Sequence, residues 1–357
     1  MRIVLHLLII VYLLLAVNRL PAQCPSSDSL YRRITRAVNA PSVSEADKLK
    51  QLLQFNDQIN HCPNKDDSAH IYLLNVIGVL SYQARNYTQA IEFTKKAIDI
   101  IRTNASKPAI KFSSLVNCYY NLQRFYDSLG KGILQREAAD SCIAIDLRIN
   151  WNHYYASFLL KDKIAFLFNK GDYVLCSKYA DLTEKLLRQY YPDNVDGIWY
   201  TVVYNADALI FLEKYDEAER FLTSKINSFE NKDSDNNLVQ TYGLLGMINY
   251  NKGSYQKALN YFQRSAEAAK KARYMIGYAE ALNWMGFIYT EKLREYTTGM
   301  SSYKKALLYA DSVDAIRVYN YIGNAYVKKN LFDSASYFFQ KAFDKIKPGF
   351  TEKELIT

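Results

Sequence analysis

Apolar side chains recur along this chain at i, i+3, i+4 and i+8, the spacing that draws one buried stripe down a helix, and short polar turns separate the stripes. The pattern repeats at a larger interval of roughly 36 to 42 residues. Leu74, Ile77, Gly78, Tyr82, Tyr87, Ala90, Ile91, Phe93 and Ala97 have the internal spacing of Tyr242, Leu245, Gly246, Tyr250, Tyr255, Ala258, Leu259 and Tyr261. A third copy runs Tyr319, Ile322, Gly323, Tyr326, Phe332, Ala335, Phe338, Phe339 and Ala342. A fourth has Leu282, Met285, Gly286 and Tyr289, then one extra residue before Tyr296, Tyr303 and Ala306. Weaker copies keep the second half only, as in Gly171, Tyr173 and Tyr179, or Tyr215, Ala218 and Phe221.

Each copy predicts two antiparallel helices. A small residue (Gly78, Gly246, Gly286, Gly323) lets the paired backbones approach, and Ala90, Ala258 and Ala335 serve the second helix in the same way. A turn such as Asn251-Lys252-Gly253-Ser254 reverses the chain, and Gly130 to Gly132 reads as the turn of a weaker hairpin. Tyr87, Tyr255 and Phe332 are expected to wedge their hairpins shut. Pro63, Pro108, Pro192 and Pro348 all fall between hairpins, where a missing N–H harms no helix. Residues 27 to 60 supply one more helical pair, with Ser42, Val43 and Ser44 opening its second helix.

The order of large residue, Leu-Gly, Tyr, turn, Ala, aromatic and Ala resembles the tetratricopeptide repeat, clearly in four copies and in degenerate form in three more, over roughly residues 69 to 346. The chain departs from that family in its near-40-residue period and in lacking most of the final prolines. The resemblance implies an all-α fold, a TPR-like α-α superhelix or solenoid of about eight helical hairpins. Four segments are expected: a signal peptide at 1–23, a capping hairpin at 24–66, the repeat array at 67–347 and a tail at 348–357.

Composition narrows the class of function. Hydrophobic residues make up 49% and charged residues 23%, which excludes wholesale disorder. Thirty-one tyrosines spread along the chain suit stacked helices bearing large amphipathic side chains. Arg2 precedes an apolar run from Leu7 to Val17, the length of a signal-peptide core and too short to span a bilayer. Cleavage is expected near Gln23, with a periplasmic or extracellular destination and no membrane span in the mature chain. Losing the leader removes Arg2 and Arg19 and lowers the net charge from +9 to +7. Basic and acidic residues are interspersed, without the concentrated stripe that nucleic-acid binding requires.

Cys24 and Cys62 each precede a proline and flank the first hairpin, so a disulfide closing it is expected in an exported protein. Cys118, Cys142 and Cys176 fall within amphipathic helices, and Cys176 takes the small-residue position of Ala90 and Ala258, which points to packing. His61, His70 and His153 show no i, i+3 or i+4 pairing, so no metal site is expected. Spacing permits a nucleophile-base pair, for example Cys142 or Cys176 with His153, since such partners meet in space, but neither cysteine has a glycine-rich oxyanion loop. No phosphate-cradling loop, cofactor motif or nucleophile elbow occurs, and no enzymatic activity is expected of this chain.

In tetratricopeptide arrays the first helices line the concave face, and the resemblance places peptide contacts one residue after the repeat glycine and about three before it. Carried onto this chain, these are Asn75, Val79, Tyr82, Met247, Tyr250, Asn283, Phe287, Asn320 and Asn324, with Arg317 and Lys328 on the same face. Asn amides would hold a ligand backbone, Arg and Lys its carboxylates, and Tyr its apolar side chains. The expected function is a protein-binding scaffold or sensing module. The leader, the Cys-Pro-Ser-Ser-Asp opening and the second Cys-Pro resemble the amino-terminal half of bacterial proteins in which such an array precedes a caspase-like CHAT peptidase domain. Similar arrays precede membrane-bound sensor kinases, so a regulatory region of a larger effector is the alternative. Phe332, Phe339, Phe343 and Ile346 are expected to lack cover on the last hairpin, as a docking surface or the end of a fragment.

Overall fold

The computed structural model describes residues 24–63, 65–105, 112–150, 153–230 and 235–346. The leader, Pro108, Pro348 and the tail lie outside the described residues. The described residues are all-α and form two compact units, divided between Leu160 and Lys161.

The first unit holds three hairpins: α1 (Ser27–Val38) with α2 (Glu45–Ile59), α3 (Ser68–Gln83) with α4 (Tyr87–Thr103), and α5 (Ser113–Ser128) with α6 (Gly132–Ile149). Helix α7 (Tyr154–Lys170) begins in this unit and ends in the second. It is followed by α8 (Tyr173–Tyr190), then α9 (Val195–Phe211) with α10 (Tyr215–Glu230), and α11 (Asp235–Asn251) with α12 (Tyr255–Lys271). Helix α13 (Met275–Phe287) runs into a π-helical turn at Ile288–Leu293 before α14 (Tyr296–Ala306), and α15 (Ser312–Lys328) pairs with α16 (Phe332–Phe343). Each unit is therefore a solenoid of stacked hairpins.

The helices begin where the sequence supplies caps. Ser44 accepts the Asp47 N–H, Asp67 that of His70, and Asp311 that of Asp314, each satisfying a donor the first turn leaves orphaned. They end alike. At Arg85, Gly130, Gly171, Glu213, Gly253, Arg294 and Asn330 the backbone turns left-handed between the two helices of a hairpin. The next N–H reaches back into the last helical turn: Asn86 to the Ser81 carbonyl, Lys214 to Leu209, Ser254 to Asn249 and Leu331 to Tyr326. This is Schellman closure, and only glycine adopts its left-handed residue without steric cost. Exposed Glu213, at φ 59°, bears that cost. Glu213→Gly is expected to stabilise the second unit by about 1 kcal/mol in urea unfolding; a loss of stability would contradict the assignment.

Packing explains the repeat glycines. A methyl group at Gly246 would come within 2.7 Å of the Phe262 ring, and one at Gly286 within 2.6 Å of Tyr303. Thr94 meets Gly78 and Phe339 meets Gly323 in the same manner. Each glycine thus seats one residue of the second helix flat against the first, and Phe262 and Tyr303 are 1% and 0% exposed. The fourth copy's extra residue lies in the π-helical turn, which absorbs one insertion without breaking the helix. Gly299 then takes the place of Ala90, Ala258 and Ala335, pressed against the Gly286 carbonyl.

Tyr87 and Tyr255 close their hairpins by packing on Tyr82 and Tyr250, with ring centroids 5.6 and 5.9 Å apart. Phe332 does not: it is 63% exposed, because its partner Tyr326 stacks on Phe338 instead, which corrects the wedge expected there. Phe339, Phe343 and Ile346 are exposed as well. Ion pairs join the hairpin α9–α10 to the next one. Lys252 binds Asp216 at 2.6 Å and Glu219 at 2.8 Å, and Lys257 binds Glu219 at 2.5 Å. Burial pushes the Glu219 carboxyl up, but hydrogen bonds from Lys252, Lys257 and Asn249 outweigh it and hold the group at about 2.

Candidate functional site

Because the second helices are drawn in by the glycines, the opposite side chains of the first helices face away from the hairpin core. In the second unit those of α9, α11 and α13, together with Phe262 and Ser265 of α12, line a cavity of about 220 Å³. Its apolar wall comes from Val203, Leu244, Met247 and Trp284. Trp284 is held in orientation by stacking on buried Phe262, centroids 5.5 Å apart and planes at 4°. Gly243 opens the wall, since a methyl group there would meet nothing nearer than the Ser265 hydroxyl at 4.0 Å.

Three polar side chains line this cavity: Gln240, Glu280 and Ser265, whose hydroxyl donates to the Val239 carbonyl at 2.8 Å. The Trp199 indole N–H donates to the Gln240 amide oxygen at 3.0 Å, which leaves the amide's N–H groups as its remaining function. Glu280 is open to solvent but crowded by protein, as suits a residue in a concavity. Burial first, then Asp314, raises its carboxyl above the ordinary range, while Arg317 pulls it down and Asp311 adds to the rise. Glu280 has no hydrogen-bond or ion-pair partner among the described residues, whereas Arg317 is engaged with Asp314 at 3.4 Å. Gln240, Glu280 and Arg317 each lie six residues before a repeat glycine, so they form one row across successive first helices. Leu244, Trp284 and Tyr321 form a second row, two residues before it.

The expected contact residues divide between the units. In the first unit the Asn121 side chain donates to the Asn75 amide oxygen at 3.0 Å, linking adjacent repeats, and Val79 is half-buried. Tyr82 stacks on Phe125 at 4.9 Å, pairs its hydroxyl with Ser128 and carries Arg124 over its face at 5.3 Å. In the second unit Met247 lines the cavity. Tyr250 packs on both Trp284 and Phe287 at 5.8 Å, Phe287 continues to Tyr321 at 5.0 Å, and Lys292 lies over Tyr250 at 5.3 Å. Asn283 is 8% exposed and its amide oxygen has no hydrogen-bond partner. Asn320 is half-buried, Asn324 is exposed, and Lys328 pairs with Glu291. Asn283 is thus buried, whereas Gly243, in the same register one repeat earlier, lines the cavity. The residues missed from sequence are Val203, Gln240, Glu280 and Trp284. The signal for Glu280 and Gln240 was the register of Arg317, carried back one and two repeats respectively.

The remaining chemistry-bearing groups are packed away. Cys24 and Cys62 are joined by a disulfide with Cα atoms 5.7 Å apart. Burial pushes the thiols of Cys118 and Cys142 up to about 12 and that of Cys176 to about 11, so all three are neutral and poorly nucleophilic at physiological pH. His153 faces buried Asp146 at 3.6 Å rather than an exposed thiol. Among the described residues no group of three or more metal-ligating side chains gathers, and no helix is long and apolar enough to cross a membrane.

Asp207, half-buried on α9 one turn beyond Val203, is raised by burial to about 6, and among the described residues no cation pairs with it. A carboxyl raised on folding weakens the fold once ionised. The penalty is absent below about pH 4, grows as pH rises to 6 and is complete above it. Asp207→Asn is thus expected to add about 2 kcal/mol at pH 7 and nothing near pH 4, read by thermal unfolding at the two pH values.

Comparison with known proteins fits this geometry. The tetratricopeptide repeat family matches residues 239–271, the span of α11, its turn and α12. Gly246 and Ala258 are the small residues of the segment that this family matches, and its first helix supplies Gln240, Gly243, Leu244 and Met247 to the cavity. No curated protein matches the chain. Among solved structures, the STAND signal-transduction ATPase with a tetratricopeptide repeat sensor from Pyrococcus horikoshii aligns at a TM-score of 0.52, with 14% identity, over 89% of this chain and 52% of its own. That likeness is one of fold, and it extends the tetratricopeptide-like architecture well beyond the matched repeat. RapI without ligand aligns at 0.44, with 13% identity, over 77% of this chain and 97% of its own. MamA from Desulfovibrio magneticus RS-1 aligns at 0.38, with 17% identity, over 53% of this chain and 94% of its own.

Proposed function

We propose that this chain is an exported, non-catalytic scaffold that binds a segment of another polypeptide along the first helices of its second unit. The observation that carries the reading is the cavity between α9, α11 and α13. It combines apolar walls held in place by Phe262 with the polar side chains of Gln240 and Glu280, the Ser265 hydroxyl being engaged with the Val239 carbonyl. Its volume of about 220 Å³ lies below the roughly 300–1,000 Å³ of small-molecule sites and suits single side chains of an extended or helical ligand. Export is supported by the bonded Cys24 and Cys62, since such bonds persist in oxidising compartments.

The test is site-specific photo-crosslinking in the producing cell. A benzophenone side chain at Gly243 is placed in the cavity wall, where a Cβ meets nothing nearer than 4.0 Å, and one at exposed Gln263 on α12 serves as control. The reading predicts a discrete polypeptide adduct from position 243 alone. Equal adducts from both positions, or none from 243, would reject it.

A further inference from the structure

The charge around the cavity specifies its ligand more narrowly than the scaffold reading on which this inference rests. The chain as a whole is basic, with a net charge of +9, yet the charged groups that act on Glu280 are Asp314 and Asp311 against Arg317. Arg317 is held by Asp314 at 3.4 Å, and Asp311 caps α15 by accepting the Asp314 N–H at 2.9 Å. Glu280 is left as an accessible carboxylate in the cavity with no partner of its own. Beside it are the apolar surfaces of Trp284, Leu244 and Met247. A carboxylate crowded by protein and by other carboxylates gains when a cation meets it.

We infer that the cavity selects a peptide segment in which a lysine or arginine adjoins a large apolar residue. The apolar side chain lies against Trp284, Leu244 and Met247, and the cation meets Glu280. An acidic segment would face repulsion from Glu280 and Asp314, so the site discriminates by charge as well as shape.

Panning a random dodecapeptide phage library on the full chain tests this. The expected result is enrichment of clones with Lys or Arg within two residues of Leu, Met, Phe or Trp. A synthetic peptide from such a clone should bind about tenfold more weakly to Glu280→Gln, and replacing its basic residue with Gln should cost the same but nothing further in that variant. The Gln variant is isosteric, and its helical circular dichroism should match the parent. Enriched peptides without basic bias, or binding indifferent to Glu280→Gln, would overturn the inference while leaving the scaffold reading intact. Failure to enrich any peptide would count against both.

Discussion

Replacing Phe262 with alanine is expected to destabilise the second unit by about 3 to 5 kcal/mol, the range for emptying a buried aromatic site. The ring is 1% exposed, lies flat on Gly246 and backs Trp284 at an interplanar angle of 4°. Its loss opens a void between α11, α12 and α13 that neither glycine backbone nor the indole can fill. The consequence reaches the proposed site, because Trp284 would lose the surface that fixes its orientation. Urea unfolding followed by circular dichroism should show the drop, together with a red-shifted tryptophan emission before the main transition. A loss under 1 kcal/mol would mean the glycine-aromatic seat does not hold the hairpin.

The second large effect is expected at the amino-terminal hairpin. Cys24 and Cys62 close a loop over a separation of 38 residues, and constraining the unfolded chain to that extent is worth about 4 kcal/mol. Beneath the bond, Leu30, Ile34, Leu52 and Ile59 are at most 1% exposed, so the hairpin has a small core of its own. Cys24→Ser with Cys62→Ser should therefore lower the free energy of unfolding of the first unit by several kcal/mol and leave the Asp207-bearing unit unaffected. Reductant should do the same to the parent and nothing to the double variant. An unchanged parent under reductant would show that the bond adds no stability.

Much of the architecture was legible because it follows from a rule repeated many times. Gly78, Gly246, Gly286 and Gly323 marked close approach between helices, and their partners Thr94, Phe262, Tyr303 and Phe339 complete the seat. The extra residue in the fourth copy was visible, but its structural outcome was not. A π-helical turn keeps the helix continuous, so Gly299 rather than a later alanine becomes the close-packed residue. Phe332 matched the wedge position in sequence, yet Tyr326 chose Phe338, a competition between two aromatics that spacing cannot rank.

The candidate site was legible only in part, for a geometric reason. Asn283 and Asn320 share with Gly243 the register three before a repeat glycine, yet Asn283 is buried, Asn320 half-buried and Gly243 lines the cavity, so register alone does not place a side chain on the open face. Gln240, Glu280 and Arg317, six before, share a row one turn further along, and only Arg317 was anticipated. Trp284 reads in sequence as an ordinary core residue. What makes it part of a cavity is the open space at Gly243 on the neighbouring repeat, which depends on the offset between hairpins.

Hydrogen-deuterium exchange of the full chain, with and without a dodecapeptide enriched by panning, tests the central claim most directly. The account predicts added amide protection along residues 240–247 of α11 and 277–287 of α13, with α12 unchanged. Protection confined to α12, or to neither first helix, would contradict it.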